Sequence, residues 1–430
     1  MPTALITGLD HEGRGVARVE GKVVFIDGAL PGETVEYKTL RARPGYDHAE
    51  VMRIVHASAQ RERPSCRHFG VCGGCSMQHL GARAQAAVKQ RVMEDAFAHL
   101  AKSKPEALYP VIMGMSWGYR HRARLGVRRV PSRGGVLIGF HEKRSSYIAD
   151  LSDCPVLPAK LSALLPRLHT LIAGLSIVDR VPQIEAAVGE GGTALVFRHL
   201  LPLPDDDVAQ LKAFAAHVGV DVWTQAGQPD SAQVLVGADS LFYTLPEFGL
   251  RLDFRPTDFI QVNAQTNRLL VRRALQLLDP RPGERVADLF CGLGNFTLPI
   301  ASLGATAIGV EGNEALTLRA ENNANINGLG ARATFHTADL FETTADSLAA
   351  FGRLDKLLLD PPREGAIAVV KAISPRQSPP RIVYVSCNPA TLARDAAVLV
   401  HEKGYTLRGA GIANLFPHTS HVESIALFER

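Results

Sequence analysis

The sequence predicts a multi-domain chain in three parts. Residues 1–58 read as an N-terminal all-β barrel, residues 59–254 as a central α+β domain with a four-cysteine cluster, and residues 255–430 as a doubly wound, Rossmann-like α/β domain. Three observations carry this reading. Short strand-like runs separated by turn signals fill the first 58 residues. Four of the six cysteines, at 66, 72, 75 and 154, bracket a basic stretch. Beyond Phe259, apolar strand-like runs alternate with helical ones.

Length and composition bound the possibilities. A chain of 430 residues favours two or three domains of about 100–200 residues each. It is 46% hydrophobic and 21% charged, as a globular protein is. No apolar run approaches the roughly 18 residues of a membrane span. Met1–Asp10 lacks the basic and apolar regions of a secretory signal, so a cytoplasmic, monomeric protein with no membrane partner is expected. The net charge of +4 says little, but its distribution says more: residues 59–153 hold 16 Lys/Arg against 7 Asp/Glu.

In the barrel segment the strands read as Ala4–Ile6, Gly15–Val19, Lys22–Phe25, Thr34–Leu40 and Ala49–Val55, with turns at Glu12-Gly13, Glu20-Gly21 and Pro31-Gly32. Its 7 basic and 8 acidic residues do not by themselves mark an RNA binder. Next, Cys66, Cys72 and Cys75, with Cys154-Pro155 downstream, supply four thiols suited to structural zinc or a [4Fe–4S] cluster, and spacing leaves both open. A radical enzyme would need a Cys-x3-Cys-x2-Cys run, whereas the first interval here is five. Ala84–Ala101 follows as an amphipathic helix with Val88, Val92, Ala96 and Leu100 four residues apart and Met93 and Phe97 beside them, placed to pack on the C-terminal domain. Within Trp117–Arg133, Arg120, Arg122, Arg124, Arg128, Arg129 and Arg133 accompany Trp117 and Tyr119. Such a stretch can grip phosphates and stack on bases, or it is simply a solvated face. Ala194–Arg198 and Gln233–Val236 read as strands, and Leu201–Asp207 and Gln225–Asp230 as loops.

The C-terminal strands read as Arg285–Leu289, Thr306–Val310, Ala333–His336, Leu357–Leu359 and Ile382–Val385. The helices read as Thr297–Leu303, Glu314–Asn327 and Thr391–Lys403. Asp288-Leu-Phe-Cys-Gly-Leu-Gly-Asn-Phe296 follows the first strand, and its glycines allow a ligand to lie against the backbone. Glu311 ends the second strand, placed for ribose hydroxyls, and Asp339 ends the third, placed for an adenine amino group, unless both merely cap helices. With no third phosphate-binding glycine, the pattern favours S-adenosyl-L-methionine over a dinucleotide. The fourth strand ends in Asp360-Pro-Pro-Arg363. Arg363 stands where amino-directed methyltransferases carry a stacking aromatic, which argues against chemistry on an exocyclic nitrogen.

Ser386-Cys-Asn-Pro389 follows the fifth strand and opens a helix, so the Cys387 thiol meets substrate and the helix N-terminus favours its thiolate. A thiolate added to carbon 6 of uracil makes carbon 5 nucleophilic, and a base must later remove the carbon-5 proton. The closing segment offers His421 and Glu423 for that, with Glu423 at the start of a final strand, Val422–Phe428. Cys291, inside the cofactor turn, reads as packing.

Ser386-Cys-Asn-Pro389, His421-Val-Glu423, the Asp288–Asn295 run and Phe259-Ile-Gln-Val-Asn263 together resemble the RNA uracil-5 methyltransferase family over most of residues 255–430. The resemblance implies Cys387 as nucleophile, Glu423 as proton acceptor, and cofactor contacts at Gln261, Phe290, Asn295, Glu311, Asp339 and Asp360. It also implies a [4Fe–4S] cluster on Cys66, Cys72, Cys75 and Cys154. Residues 1–58 resemble a TRAM domain, an OB-like RNA-binding barrel. Barrel, cluster and methyltransferase together resemble the members that methylate 23S ribosomal RNA, at what is expected to be an unpaired loop uridine. The same chemistry on transfer RNA is the alternative, and a non-catalytic RNA-binding or assembly factor is another.

Overall fold

The computed structural model describes residues 1–133, 135–375 and 377–430. The N-terminal sheet has six strands, β1 (Thr3–Leu5), β2 (Gly8–Leu9), β3 (Gly15–Val19), β4 (Lys22–Asp27), β5 (Thr34–Ala42) and β6 (Tyr46–His56), in the order β1-β5-β6-β4-β3-β2. Between β1 and β2 the backbone serves both edges. Ile6 N–H donates to Glu33 O at 2.9 Å and Thr7 N–H to Val16 O at 2.8 Å, so the sheet closes on itself around Ile6, Val24, Ile26 and Val35. The two-residue β2 is too short to show a period.

The helix expected at 84–101 runs from Ala82 to Ala96 and continues as a π-helical turn, Phe97–Ala101. Its buried stripe differs from the one the valines suggest. Gln85, Lys89, Met93, Phe97 and Ala101 are buried, whereas Leu100 is 53% exposed. The π turn keeps a four-residue repeat aligned where an α-helix would rotate it away. Met93, Phe97 and Ala101 enter the same core as Leu289, Leu357 and Tyr384, so the helix packs on the C-terminal domain as expected.

A short strand, β7 (Ala107–Leu108), then precedes the central sheet of β8 (Arg122–Val130), β9 (Gly135–Gly139), β10 (Gln183–Val188), β11 (Thr193–Arg198), β12 (Asp221–Gln225) and β13 (Ala232–Val236). Its order is β13-β12-β11-β10-β8-β9. Leu165, Leu168 and Ile172 of one helix and Leu211 and Ala215 of another share its core. The second helix, Asp205–Val218, begins inside the expected loop 201–207. Asp205, Asp206 and Asp207 make its first turn, where carboxylates face the positive end of the helix dipole. A hairpin of β14 (Leu241–Leu245) and β15 (Leu250–Phe254) buries Leu245, Leu250 and Leu252 in the C-terminal core.

The last sheet comprises β16 (Arg285–Leu289), β17 (Thr306–Glu311), β18 (Ala333–Thr337), β19 (Lys356–Leu359), β20 (Arg381–Ser386), β21 (Thr406–Ala413) and β22 (Glu423–Glu429). Its order is β18-β17-β16-β19-β20-β22-β21-β7. The five expected strands are parallel, and β22 is antiparallel to both its neighbours. The sequence reading did not include β21 or the helix Ala264–Leu278, which starts on an Asn263 cap. Nor did it include β7, which leaves the N-terminal half to add a parallel edge strand beside β21. Strand order reverses about β16 and β19, and the crevice for a ligand opens at that switch point. Among the described residues no helix is long and apolar enough to cross a membrane.

Candidate active site

The turn after β16 is held by its own backbone. Phe290 and Cys291 N–H both donate to Val310 O, at 2.8 and 3.0 Å. Phe290 sits at φ +68°, which costs a bulky L-residue about 1–2 kcal/mol. Gly294, at φ +89°, sits where a side chain would be strained. Beneath the turn Asp288 accepts the Thr297 hydroxyl at 2.5 Å, and burial pushes its carboxyl up to about 8. Cys291 is buried against Gly309, where an added Cβ would lie 2.9 Å from its sulfur, so its role is packing.

Glu311 accepts N–H bonds from Gly292 and Asn313, both at 3.1 Å, leaving acceptor capacity toward the crevice. Asp339 caps a short 3-10 turn through Phe341 N–H at 2.9 Å, so the capping role is real; the residue also lines the cavity described below. Asn295 is more occupied than the sequence suggests. Its Oδ1 accepts from Tyr243 and from Asn267, and its Nδ2 donates to Asn267 at 3.0 Å, so much of its capacity holds the turn.

Cys387 and Glu423 meet through sheet register. Ser386 of β20 pairs with Ser424 of β22, which brings the residue after one beside the residue before the other. The Cys387 turn is tied locally: Asn388 N–H donates to Ser386 Oγ at 3.2 Å, and Asn388 Nδ2 to Arg363 O at 3.0 Å. Asn388 caps the helix Pro389–His401, which begins two residues earlier than the expected start, and the expected easy thiolate does not follow. Burial, then the charges of Glu423 and Asp360, push the thiol up to about 12. Burial and the neighbouring Asp360 also raise Glu423 well above the carboxylate range, and burial raises Asp360 to about 7. His421, whose surface remains exposed, accepts from Arg363 at 3.0 Å through its Nε2; desolvation at the chamber wall and then the Arg363 charge lower it from its ordinary value.

All these groups line one cavity of about 1260 Å³: Gln261, Phe290, Asn295, Glu311, Asp339, Asp360, Cys387 and Glu423. Part of its lining was not foreseen. Gly73, Gly74 and Ser76 of the cysteine segment and Phe140–Arg144 also line the chamber, and Lys143 and Arg144 pair with Asp27 of the barrel. Glycines between cysteines were the available signal, since they let backbone form a wall.

The basic stretch divides. Arg124, Arg128 and Arg129 are exposed, though Arg124 pairs with Glu185 and Arg129 with Asp179. Arg122 is half-buried, bonded to Glu185 and Thr257 O, and Arg120 lies over the Phe140 ring. The side chain of Arg133 lies outside the described residues. Tyr119 is not a stacking platform. It is 2% exposed and donates its hydroxyl to Pro417 O at 2.9 Å, while Trp117 is already stacked on His418, centroids 3.8 Å apart.

Cys72 and Cys154 are buried, Cys66 and Cys75 partly so. Burial pushes Cys75 up to about 11 and Cys154 to about 12. Charge on Cys66 raises both of them as well as Cys72, which puts all four thiols in one electrostatic neighbourhood. All are free thiols, and among the described residues no group of three or more His, Cys, Asp or Glu is arranged to hold a metal ion. Burial alone therefore leaves these cysteines as protonated, poorly solvated thiols.

Comparisons with known proteins bear on this site. A family model described as tRNA (Uracil-5-)-methyltransferase matches residues 205–430, and one described as TRAM domain matches residues 3–52. The chain is 68% identical, end to end in both, to the protein of Aromatoleum aromaticum named 23S rRNA (uracil(1939)-C(5))-methyltransferase RlmD. It is 69% identical, again end to end, to the protein of that name from Azoarcus sp. strain BH72. The Cupriavidus metallidurans protein of that name is 56% identical, with 100% of this chain and 95% of that one covered. Among solved structures, the Pyrococcus abyssi tRNA (uracil-54, C5)-methyltransferase in complex with S-adenosyl-L-homocysteine aligns with a TM-score of 0.77. The two are 23% identical over 99% of this chain and 100% of that one, a likeness of fold.

Proposed function

The chain belongs to the RNA uracil-5 methyltransferase family, and from that premise we propose that it methylates carbon 5 of one unpaired uridine in 23S ribosomal RNA. The carrying observation is the register that sets Cys387 beside Glu423 in a cavity that also holds the expected cofactor contacts. S-adenosyl-L-methionine supplies an electrophilic methyl on a sulfonium whose positive charge offsets the buried acids. Gln261, Phe290, Asn295, Glu311, Asp339 and Asp360 hold it, with Glu311 accepting from hydroxyls and Phe290 giving an apolar face.

Attack requires the Cys387 thiolate. Asp360, whose charge with burial and Glu423 helps hold the thiol proton in place, is also an adjacent base for it, which leaves Glu423 for the later proton. The sulfur would add to carbon 6, and carbon 5 would take the methyl group as the methyl's bond to the cofactor sulfur breaks and S-adenosyl-L-homocysteine leaves. Glu423, left as a carboxylate once the bound sulfonium has driven its own proton to solvent, would accept the carbon-5 proton. The carbon 6–sulfur bond then breaks and returns the thiolate. Because the nucleophile lies inside a chamber, the uridine must leave its stack to reach it, at a few kcal/mol less cost when unpaired. One chain carries both nucleophile and base, so a monomer suffices. Cys66, Cys72, Cys75 and Cys154 hold a [4Fe–4S] cluster in this reading; it supplies a cross-link between the segment at 66–75 and Cys154. Protein purified without air should then be brown with about four irons per chain; stoichiometric zinc would overturn that part alone.

Labelled cofactor with protein-free 23S RNA and with unmodified transfer RNA tests the substrate. Incorporation at one loop uridine of 23S RNA is expected, and faster labelling of transfer RNA would contradict the ribosomal assignment.

A further inference from the structure

The turn that leads into Glu423 is held by residues from the other half of the chain. Each carbonyl from 416 to 418 has a donor there, and the carbonyl before them has one within the C-terminal domain. Leu415 O accepts from Asn263 at 3.2 Å, Phe416 O from Lys89 Nζ at 2.8 Å, and Pro417 O from the Tyr119 hydroxyl at 2.9 Å. His418 O accepts the N–H groups of Ser76 and Met77, both at 2.9 Å. The His418 N–H donates to Gln85 Oε1 at 2.8 Å, and the amide nitrogen of Gln85 reaches back to Met77 O and Leu80 O. Lys89, 1% exposed, also donates to Asn414 Oδ1 at 2.8 Å. His418 itself sits at φ +65°, in the left-handed region, and such a residue persists only where its surroundings over-determine it. The ties recorded for the Cys387 turn, to Ser386, Asn388 and Arg363, involve none of these donors.

We infer that Lys89, Tyr119 and Gln85 are positioning residues that set the proton acceptor Glu423 while leaving the nucleophile Cys387 untouched. The inference rests on the covalent reading above. It carries a further consequence: the cysteine segment, through Ser76 and Met77, is coupled to proton removal.

The test separates the two halves of the reaction. Adduct formation on RNA carrying 5-fluorouridine needs Cys387 and methyl transfer but stops before proton removal, since fluorine cannot leave as a cation. Lys89→Met and Tyr119→Phe should form that adduct within about threefold of the wild-type rate. On ordinary RNA, turnover should fall about 10- to 100-fold for Lys89→Met, the scale of a 1 Å misplacement, and severalfold for Tyr119→Phe. A covalent RNA–protein species, absent in the wild type, should accumulate on denaturing gels. Adduct formation and turnover falling in proportion, or neither changing, would overturn the inference while the covalent reading stands. If Lys89→Met does not fold, the near-isosteric Tyr119→Phe decides by the same comparison. If the wild type forms no adduct with 5-fluorouridine RNA, the covalent reading falls and takes this inference with it.

Discussion

Cys387 and Glu423 occupy neighbouring strand ends, yet they are supported by different parts of the chain. The Cys387 turn is tied by Ser386, Asn388 and Arg363, all within about 25 residues of sequence, as is usual where a parallel strand feeds a helix. Glu423 follows a turn gripped by Gln85, Lys89, Tyr119 and the cysteine segment, some 300 residues away. A nucleophile with local support tolerates change in the N-terminal half; a base with remote support does not. Making and breaking the covalent bond should therefore respond differently to mutation.

The largest effect should fall on the nucleophile. Cys387→Ala is expected to lower methylation by at least about 10⁴-fold, while cofactor affinity by calorimetry stays within a few-fold. Glu423→Gln comes next, with turnover down about 10²–10⁴-fold and the covalent adduct accumulating on natural RNA. Parallel loss of adduct and product in that variant would mean that Glu423 serves the attack rather than the release.

A pH measurement sharpens the comparison between the acids. Asp360 is raised by burial to about 7, above its unfolded value near 4. Folding therefore takes up a proton between those values, and the contribution of Asp360 to the stability of the ligand-free protein should be lost as pH rises from about 4 through 7, beside the similar losses from Asp288 and Glu423. A cationic ligand beside Asp360 expels that proton. S-adenosyl-L-methionine affinity should thus rise with pH to about 7, and Asp360→Asn should make both slopes shallower, leaving the part due to Asp288 and Glu423. Profiles unchanged in that variant would place the titration elsewhere. The smallest effect is expected at Arg128, which is exposed: Arg128→Ala should reduce the salt slope of RNA binding by about 1, with no change in cofactor binding.

What was legible in the sequence follows the same division. Strand-loop-helix units carry their signals contiguously, so β16 to β20, the Cys387 turn and the acids at strand ends could be read from apolar runs and the residues that end them; Glu423 stands as one of two candidates, with His421, and only the family resemblance singles it out. Gln85 and Lys89 could not. Two polar residues on a helix suggest solvent, and only their partners 325 or more residues away turn that face inward. Tyr119 and Trp117 misled for a related reason: an aromatic among arginines looks the same whether it awaits a base or is already stacked on His418. The Cys387 thiolate expectation weighed the helix N-terminus, a local feature. It missed two carboxyls, Asp360 from another strand end and Glu423 from the far side of the turn.

The central claim is covalent catalysis by Cys387 with Glu423 as the releasing base, and one measurement bears on it most directly. Wild-type protein, S-adenosyl-L-methionine and a 23S RNA fragment carrying 5-fluorouridine at the target position are incubated, digested and mapped by mass spectrometry. The account expects a methylated fluorouridine attached to the peptide containing Cys387. No adduct, or attachment at Cys291, would contradict it.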